Sequence, residues 1–295
     1  TWKGTVTGPF QVLVRDGVIQ TVASGDQAPA NSSDAVIVEG RGHTLMPGLI
    51  DAHWHTTLSN ITLNDILTAD VGYIHIAAAV GAEETVKRGF TTVRDASGPS
   101  FALKRAIDEG MVTGPRIFPS GAIISQTGGH GDFRTTSEIP RGIVSEFSRA
   151  ELIGASAIAD GPDEVLQAAR EQIMHGASQI KIACGGGVIS LYDPIDVAEY
   201  GLEEMRAAVE AAQNFGTYVM AHAYTPKSVQ TALQAGVLSI EHGQLLDRAS
   251  VEMIVEKGAW WCLQPFLVDG DTPPDPRPEN QKKAEEVSAG TDRAY

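Results

Sequence analysis

Residues 45–55, LMPGLIDAHWH, constrain the chain more than any other stretch. Pro47 and Gly48 punctuate its entry, and Leu49 and Ile50 form a short apolar run. Asp51, His53 and His55 follow at alternate positions. Side chains two apart on a β-strand point to the same face. His53 and His55 therefore project together from the strand's C-terminal end. A strand offers two imidazoles to one metal ion in this way, and neutral imidazole is a common ligand for zinc and related cations. Two surface histidines after a core strand would read the same, so the downstream sequence has to decide.

From residue 45 onward strands alternate with helices, the mark of βα units and a parallel sheet. FTTVRDAS (90–97) reads as the second strand, after an amphipathic helix over 69–88. RIFPSGAIIS (116–125) reads as the third. SQIKIACGGG (178–187), TYVMAHAY (217–224), VLSIEHG (237–243) and WWCLQPFLV (260–268) read as the fourth to seventh. Pro162 opens a helix, with Asp163 and Glu164 favourable in its first turn. Helices over 202–215, 225–235 and 248–257 end at Gly216, Gly236 and Gly258. The connection 126–160 is long enough to be functional or mobile. DTPPDPRPEN leads into a last polar helical stretch.

Residues 1–45 are a different text. FQVLVRDGVIQTV alternates on either side of Asp16-Gly17, a hairpin signal. AVIVEG and HTLM read as further short strands.

A chain of 295 residues, 42% hydrophobic and 20% charged, suits one large globular domain or two smaller ones. Its net charge of −15 argues against nucleic acid or an anionic membrane surface as partner. No run approaches the ~18 apolar residues of a membrane span, and no secretory signal opens the sequence given. Cys184 and Cys262 sit in apolar runs and read as reduced core residues, which fits a cytoplasmic setting.

Several side chains carry chemistry. Lys181 lies inside an apolar strand. It is either a snorkelling strand-end lysine or a buried ammonium, which is expensive without a purpose. His222 and His242 are single histidines ending apolar runs. His130 sits in the Gly-rich SQTGGHGD, either solvated or reading substrate. Tyr224 shares the face of His222, and Arg134 is a further candidate for a substrate carboxylate. Arg94 and Asp95 end the second strand and are expected to pair structurally. His43, His75 and His175 read as non-ligands. CGGGVIS lacks the Lys-Ser/Thr of a phosphate-binding loop.

PGLIDAHWH, the strand lysine of QIKIACGGG and the histidines of VMAHAY and SIEHG together resemble the amidohydrolase superfamily, metal-dependent hydrolases on a (β/α)8 barrel. The resemblance implies an α/β, TIM-type barrel with a small flanking β-sandwich. Residues 1–45 would be the N-terminal part of the sandwich, and 46–295 would be barrel strands one to seven, incomplete at the C-terminus. Active sites of such barrels lie at the C-terminal ends of the strands. The resemblance also implies two divalent metal ions, zinc by expectation, and a carbamate on Lys181 that bridges them. His53, His55 and Lys181 would hold the more buried ion. Lys181, His222 and His242 would hold the more exposed one. The family's catalytic aspartate ends the eighth strand. Here GTD (290–292) is flanked by helical sequence, so Asp292 is not that residue and the catalytic aspartate is unassigned.

IKIACGGGVIS, SQTGGHGD, AHAYTP and SIEHG look closest to the Xaa-Pro dipeptidase (prolidase) and imidazolonepropionase-like group. The implied reaction is hydrolysis of the amide C–N bond of a dipeptide or N-acyl amino acid by a metal-bound hydroxide. His130 and Tyr224 would bind substrate. A cyclic-amide or imidazolone hydrolase and a non-catalytic scaffold remain alternatives, and a homo-oligomer is left open.

Overall fold

The chain divides into two units, Thr1–Pro47 and Gly48–Tyr295. The computed structural model describes residues 8–25, 29, 32–40, 42–140, 143, 147–266, 268 and 275–295. In the first unit β1 (Phe10–Arg15) and β2 (Val18–Ser24) form an antiparallel hairpin. Its turn residues Asp16 and Gly17 have φ of 52° and 73°. Positive φ at both central positions matches the right-handed twist of the flanking strands. The further strands expected at AVIVEG and HTLM do not form. Residues 35–40 and 43–46 lie outside any ladder, with Val36, Ile37 and Val38 at 90%, 87% and 88% exposure. Alternating apolar sequence makes a strand only where a neighbour accepts its backbone hydrogen bonds, and among the described residues none does.

The second unit opens with β3 (Leu49–Trp54), α1 (Leu63–Thr68), α2 (Val71–Lys87), β4 (Phe90–Asp95), α3 (Phe101–Asp108), β5 (Arg116–Phe118) and β6 (Ile123–Ser125). It continues with α4 (Arg149–Leu152), β7 (Ser156–Ile158), α5 (Pro162–Met174), β8 (Ile180–Ala183), α6 (Leu202–Asn214) and β9 (Val219–Ala223). It closes with α7 (Pro226–Ala235), β10 (Ser239–His242), α8 (Arg248–Lys257), β11 (Trp260–Cys262) and α9 (Pro278–Ala294). All its ladders between these strands are parallel. One sheet has the order β11-β10-β9-β8-β6-β7 and the other β3-β4-β5.

The expected third strand, 116–125, is two strands in two sheets. Pro119 has no N–H for a ladder, and Gly121 turns the chain at φ 73°. The connection after it is shorter than expected, because α4 and β7 lie within 126–160. The seventh strand covers only Trp260–Cys262. Among the described residues, β3 and β11 each pair on one side only.

Helix ends follow the local chemistry. Asp70 and Asp247 cap α2 and α8 by accepting from the Gly72 and Ser250 amides. Pro162 stands at the first turn of α5, and Gly236 and Gly258 close α7 and α8 in the left-handed region. The largest core cluster sets Ile180, Ile182, Ala221 and Ile240 against Val165 and Ala169 of α5, Met205 and Ala208 of α6, and Leu233 of α7. Small residues on α6 bring the helix close to the sheet. Each such isoleucine contributes about 1.5–3 kcal/mol by burial.

Candidate active site

Strand register decides which side chains share a face. Lys181 pairs with Met220, and Met220 with Ser239. Two residues on, Ala183, His222, Glu241 and Cys262 stand in one row. The opposite face carries Ile180, Ile182, Ala221 and Ile240, the residues packed on the helices. One face of β8–β11 is therefore core. The other holds Lys181, His222 and Glu241.

Alternation would send His242 to the same side as Ile240. Its φ of 75° turns it instead, and Gly243 follows at φ 71°. A non-glycine residue in this region costs energy and persists only where its surroundings impose it. Trp261 does so here, donating its indole N–H to the His242 carbonyl at 2.8 Å. A Cβ on Gly243 would collide with that indole nitrogen.

The imidazoles form a chain of neighbours. His53 lies 5.3 Å from His55 and 4.6 Å from His242, centroid to centroid. His242 lies 4.6 Å from His222, and His222 stacks on His130 at 3.9 Å. In four of the rings one nitrogen meets an oxygen that can only accept. Nδ1 of His53 donates to Glu241 Oε2 at 2.7 Å, and Nδ1 of His242 to Gln264 Oε1 at 2.6 Å. Nε2 of His222 donates to the Gly186 carbonyl at 3.1 Å, and Nδ1 of His55 to that of Ser97 at 3.4 Å. These partners set the tautomers. The lone pairs lie on Nε2 of His53, His55 and His242 and on Nδ1 of His222.

Burial, then the Lys181 charge, keeps His55 neutral down to about 4. Burial, with the neighbouring charges after it, holds His53, His222 and His242 well below the ordinary histidine value. Neutral rings are what a metal requires. The contact between His53 and Glu241 is thus a hydrogen bond from a neutral ring, not an ion pair.

Lys181 is 1% exposed. Among the described residues its Nζ has neither a hydrogen bond nor an ion pair. Burial pulls its ammonium down to about 8. A buried amine without a hydrogen-bond partner, near enough to His53, His55, His222 and His242 for its charge to lower their ionisation, together with one free lone pair on each ring, is a donor set that suits divalent cations.

His130 is brought to this group through its stacking on His222, and burial with the Lys181 charge lowers its ring to about 3. Tyr224 is 4% exposed, with its ring 5.0 Å from His222 and 5.2 Å from His242. Arg134 does not point to a ligand, because its guanidinium is engaged by Asp132, Nε to Oδ1 at 2.8 Å. Arg94 and Asp95 do not pair with each other. Neighbours on a strand face opposite ways: Arg94 binds both oxygens of Glu241 at 2.8 and 2.9 Å. Asp95 accepts from Ser100 Oγ at 2.5 Å and the Thr56 amide at 2.8 Å.

Cys184 is buried core, as expected, but Cys262 is only half-buried. Its sulfur lies within 4.8 Å of ligand-type atoms of His53 and Glu241. Glu241 already holds Arg94 and His53, so this trio reads as support for His53. Asp292 is exposed on α9. His75 lies on α2, and His175, just past α5, sits against Phe101.

Glu241 escapes a reading of the sequence, although it is 0% exposed and binds Arg94, Ser239 and His53. The signal was a carboxylate in the apolar run VLSIEHG, at the alternate position to Ser239. Ser190, Asp193 and Glu199, which surround His130, had no local signal.

The amidohydrolase family's sequence profile matches residues 44–262. The ochratoxinase of Aspergillus niger is 32% identical over 265 residues, covering 88% of this chain and 55% of its own length. The imidazolonepropionase of Deinococcus deserti is 26% identical over 259 residues, covering 82% of this chain and 60% of that one. A solved prolidase complexed with N-methylphosphonate-L-proline is 36% identical, with a TM-score of 0.85, covering 97% of this chain and 69% of that chain. The chain thus spans little more than half the length of these two curated relatives.

Proposed function

The chain belongs to the amidohydrolase family, and on that premise we propose that it is a binuclear metal-dependent hydrolase of Xaa-Pro or other dipeptides or of N-acyl amino acids. The observation that carries this reading is Lys181, buried and unpaired among imidazoles whose lone pairs are already assigned. Its low affinity for a proton raises the free-amine fraction that carboxylation needs. His53, His55 and the Lys181 carbamate would hold one cation, and the carbamate, His222 and His242 the other. Zinc suits these donors. Bound there, the cations would supply Lewis acidity, acidifying a water and polarising the scissile carbonyl.

The chain's own residues hold and orient. Glu241 fixes the His53 ring, and Arg94 balances the buried charge of Glu241. Tyr224, beside His222 and His242, would donate to the substrate's carbonyl or carboxylate oxygens, and His130, stacked on His222, would accept from a polar N–H group of the substrate through Nε2. The similar prolidase takes a phosphonate joined to proline. A site for the same leaving residue is our reading of this chain too. In this reading, β3, β4, β5 with β6, β8, β9, β10 and β11 are strands one to seven of a (β/α)8 barrel, and residues 1–45 are part of a β-sandwich. No described helix is long and apolar enough to cross a membrane.

Metal analysis and a dipeptide panel test the proposal. We expect two divalent ions per chain and turnover of Xaa-Pro substrates. A protein that takes up no stoichiometric metal would be a scaffold. One that binds metal and opens imidazolones but leaves dipeptides intact would be the cyclic-amide alternative.

A further inference from the structure

His130 is held by two residues that have no place in the metal site, Ser190 and Glu199, and by stacking on His222. Its Nδ1 lies 3.0 Å from Ser190 Oγ, and its amide donates to Glu199 Oε1 at 2.7 Å. Its ring lies on His222 with an interplanar angle of 16°. Ser190 Oγ in turn lies 2.7 Å from Asp193 Oδ2, which also accepts from the Gly187 amide at 2.7 Å. A side chain at residue 187 would occupy the place of the His130 ring, so the glycine after CGG has a spatial reason. Lys283 on α9 donates to the Gly187 and Ser190 carbonyls at 3.1 and 3.2 Å, fixing the segment from behind.

Asp193 and Glu199 are 3% and 6% exposed. Two carboxylates buried together would repel, so one carries a proton. Burial and then the Asp193 charge push Glu199 up to about 8. Asp193 Oδ1 is buried without a hydrogen-bond partner, and a proton on Glu199 would let that carboxyl donate to Asp193. Asp193 can then remain an anion that accepts from the Ser190 hydroxyl, and Ser190 accepts in turn from His130 Nδ1–H.

We propose that Asp193, Ser190 and Glu199 are positioning residues that fix the ring orientation of His130 and so the geometry with which its Nε2 meets substrate. The proposal rests on the reading of His130 as a substrate-binding residue. It adds to that reading a second buried network, built on residues 185–199, that acts on recognition without touching metal.

The test compares Ser190→Ala, Ser190→Thr, Asp193→Asn and His130→Ala. The first readout is 15N NMR of histidine-labelled, metal-free protein, which reports the tautomer of each ring. We expect Ser190→Ala and Asp193→Asn to change the His130 signals alone and Ser190→Thr to restore them. In the metal-loaded protein Ser190→Ala should lower kcat/KM about tenfold, mostly through KM, as for loss of one hydrogen bond. Metal content should not change. His130 resonances unmoved by Ser190→Ala and Asp193→Asn would overturn the proposal, even with kinetics impaired by His130→Ala. Shifted resonances with normal kinetics in His130→Ala would instead sink the reading of His130 and leave the positioning network standing.

Discussion

Glu241 accepts a 2.7 Å hydrogen bond from Nδ1 of His53, a residue 188 positions away in the sequence. The same carboxylate is bound by Arg94 and by Ser239 Oγ. A ring held this way keeps one tautomer and one rotation. Glu241→Gln should therefore weaken metal binding about 10–100-fold, as losses of such supporting partners do. A zinc titration of the folded variant measures it. Glu241→Ala should also destabilise by about 3–5 kcal/mol, because it leaves the largely buried Arg94 unpaired. Equal metal affinity in wild type and Glu241→Gln would mean that His53 is not a ligand.

Lys181 should take up carbon dioxide when metal is present. Protein loaded with metal in 13C-bicarbonate should show one carbamate carbon by NMR, and Lys181→Met should not. The metal-free Lys181→Met protein should be more stable than wild type, since it replaces a buried cation with an apolar chain of similar length. A plain ammonium at Lys181 in the metal-loaded protein would defeat the binuclear reading.

Asp95 gives a pH signature. Burial pushes its carboxyl up to about 7 from an ordinary 3.8. Between those values the folded protein holds a proton that the unfolded chain has released. The Asp95 contribution to the unfolding free energy then falls as pH rises from about 4 to 7, at a slope approaching about 1.4 kcal/mol per unit. The contribution is full below the unfolded value and is lost above the folded one. The buried neutral histidines contribute slopes of the opposite sign in this range, so the Asp95 slope is read as the difference between metal-free wild type and Asp95→Asn in chemical denaturation. An unchanged slope in the variant would assign it to another carboxyl.

Gly243→Ala should be costly twice over. Its φ of 71° disfavours a side chain, and its Cβ would meet the Trp261 indole that holds the His242 carbonyl. We expect about 1–3 kcal/mol of destabilisation and loss of the ion assigned to His222 and His242 before the other. Loss of both ions together, or neither, would separate His242 from that role.

His130→Ala should lower kcat/KM by the equivalent of about 1–3 kcal/mol, the worth of a hydrogen bond to a charged group, with metal content intact. Asp292→Ala should change neither, because Asp292 is exposed on a helix. Lost metal in Asp292→Ala would restore it as a ligand.

Much of this site is legible in the sequence. His53, His55, Lys181, His222 and His242 can be read from short apolar runs that end in a polar residue, and the helix ends from Pro162, Gly236 and Gly258. Such signals are local. A period of two or 3.6 residues and a preference for positive φ are properties of a few consecutive residues. What tertiary structure alone decided is which groups meet. The third strand divided between two sheets, and residues 35–40 and 43–46 formed no strand, because a ladder requires a neighbour. His242 faces the site through a φ that Trp261 supports, against the alternation of its own strand. Glu241 reaches His53, and Asp193 reaches His130 through Ser190. Hydrogen-bond partners, tautomers and shifted ionisation follow from burial beside distant segments, which no stretch of consecutive residues specifies.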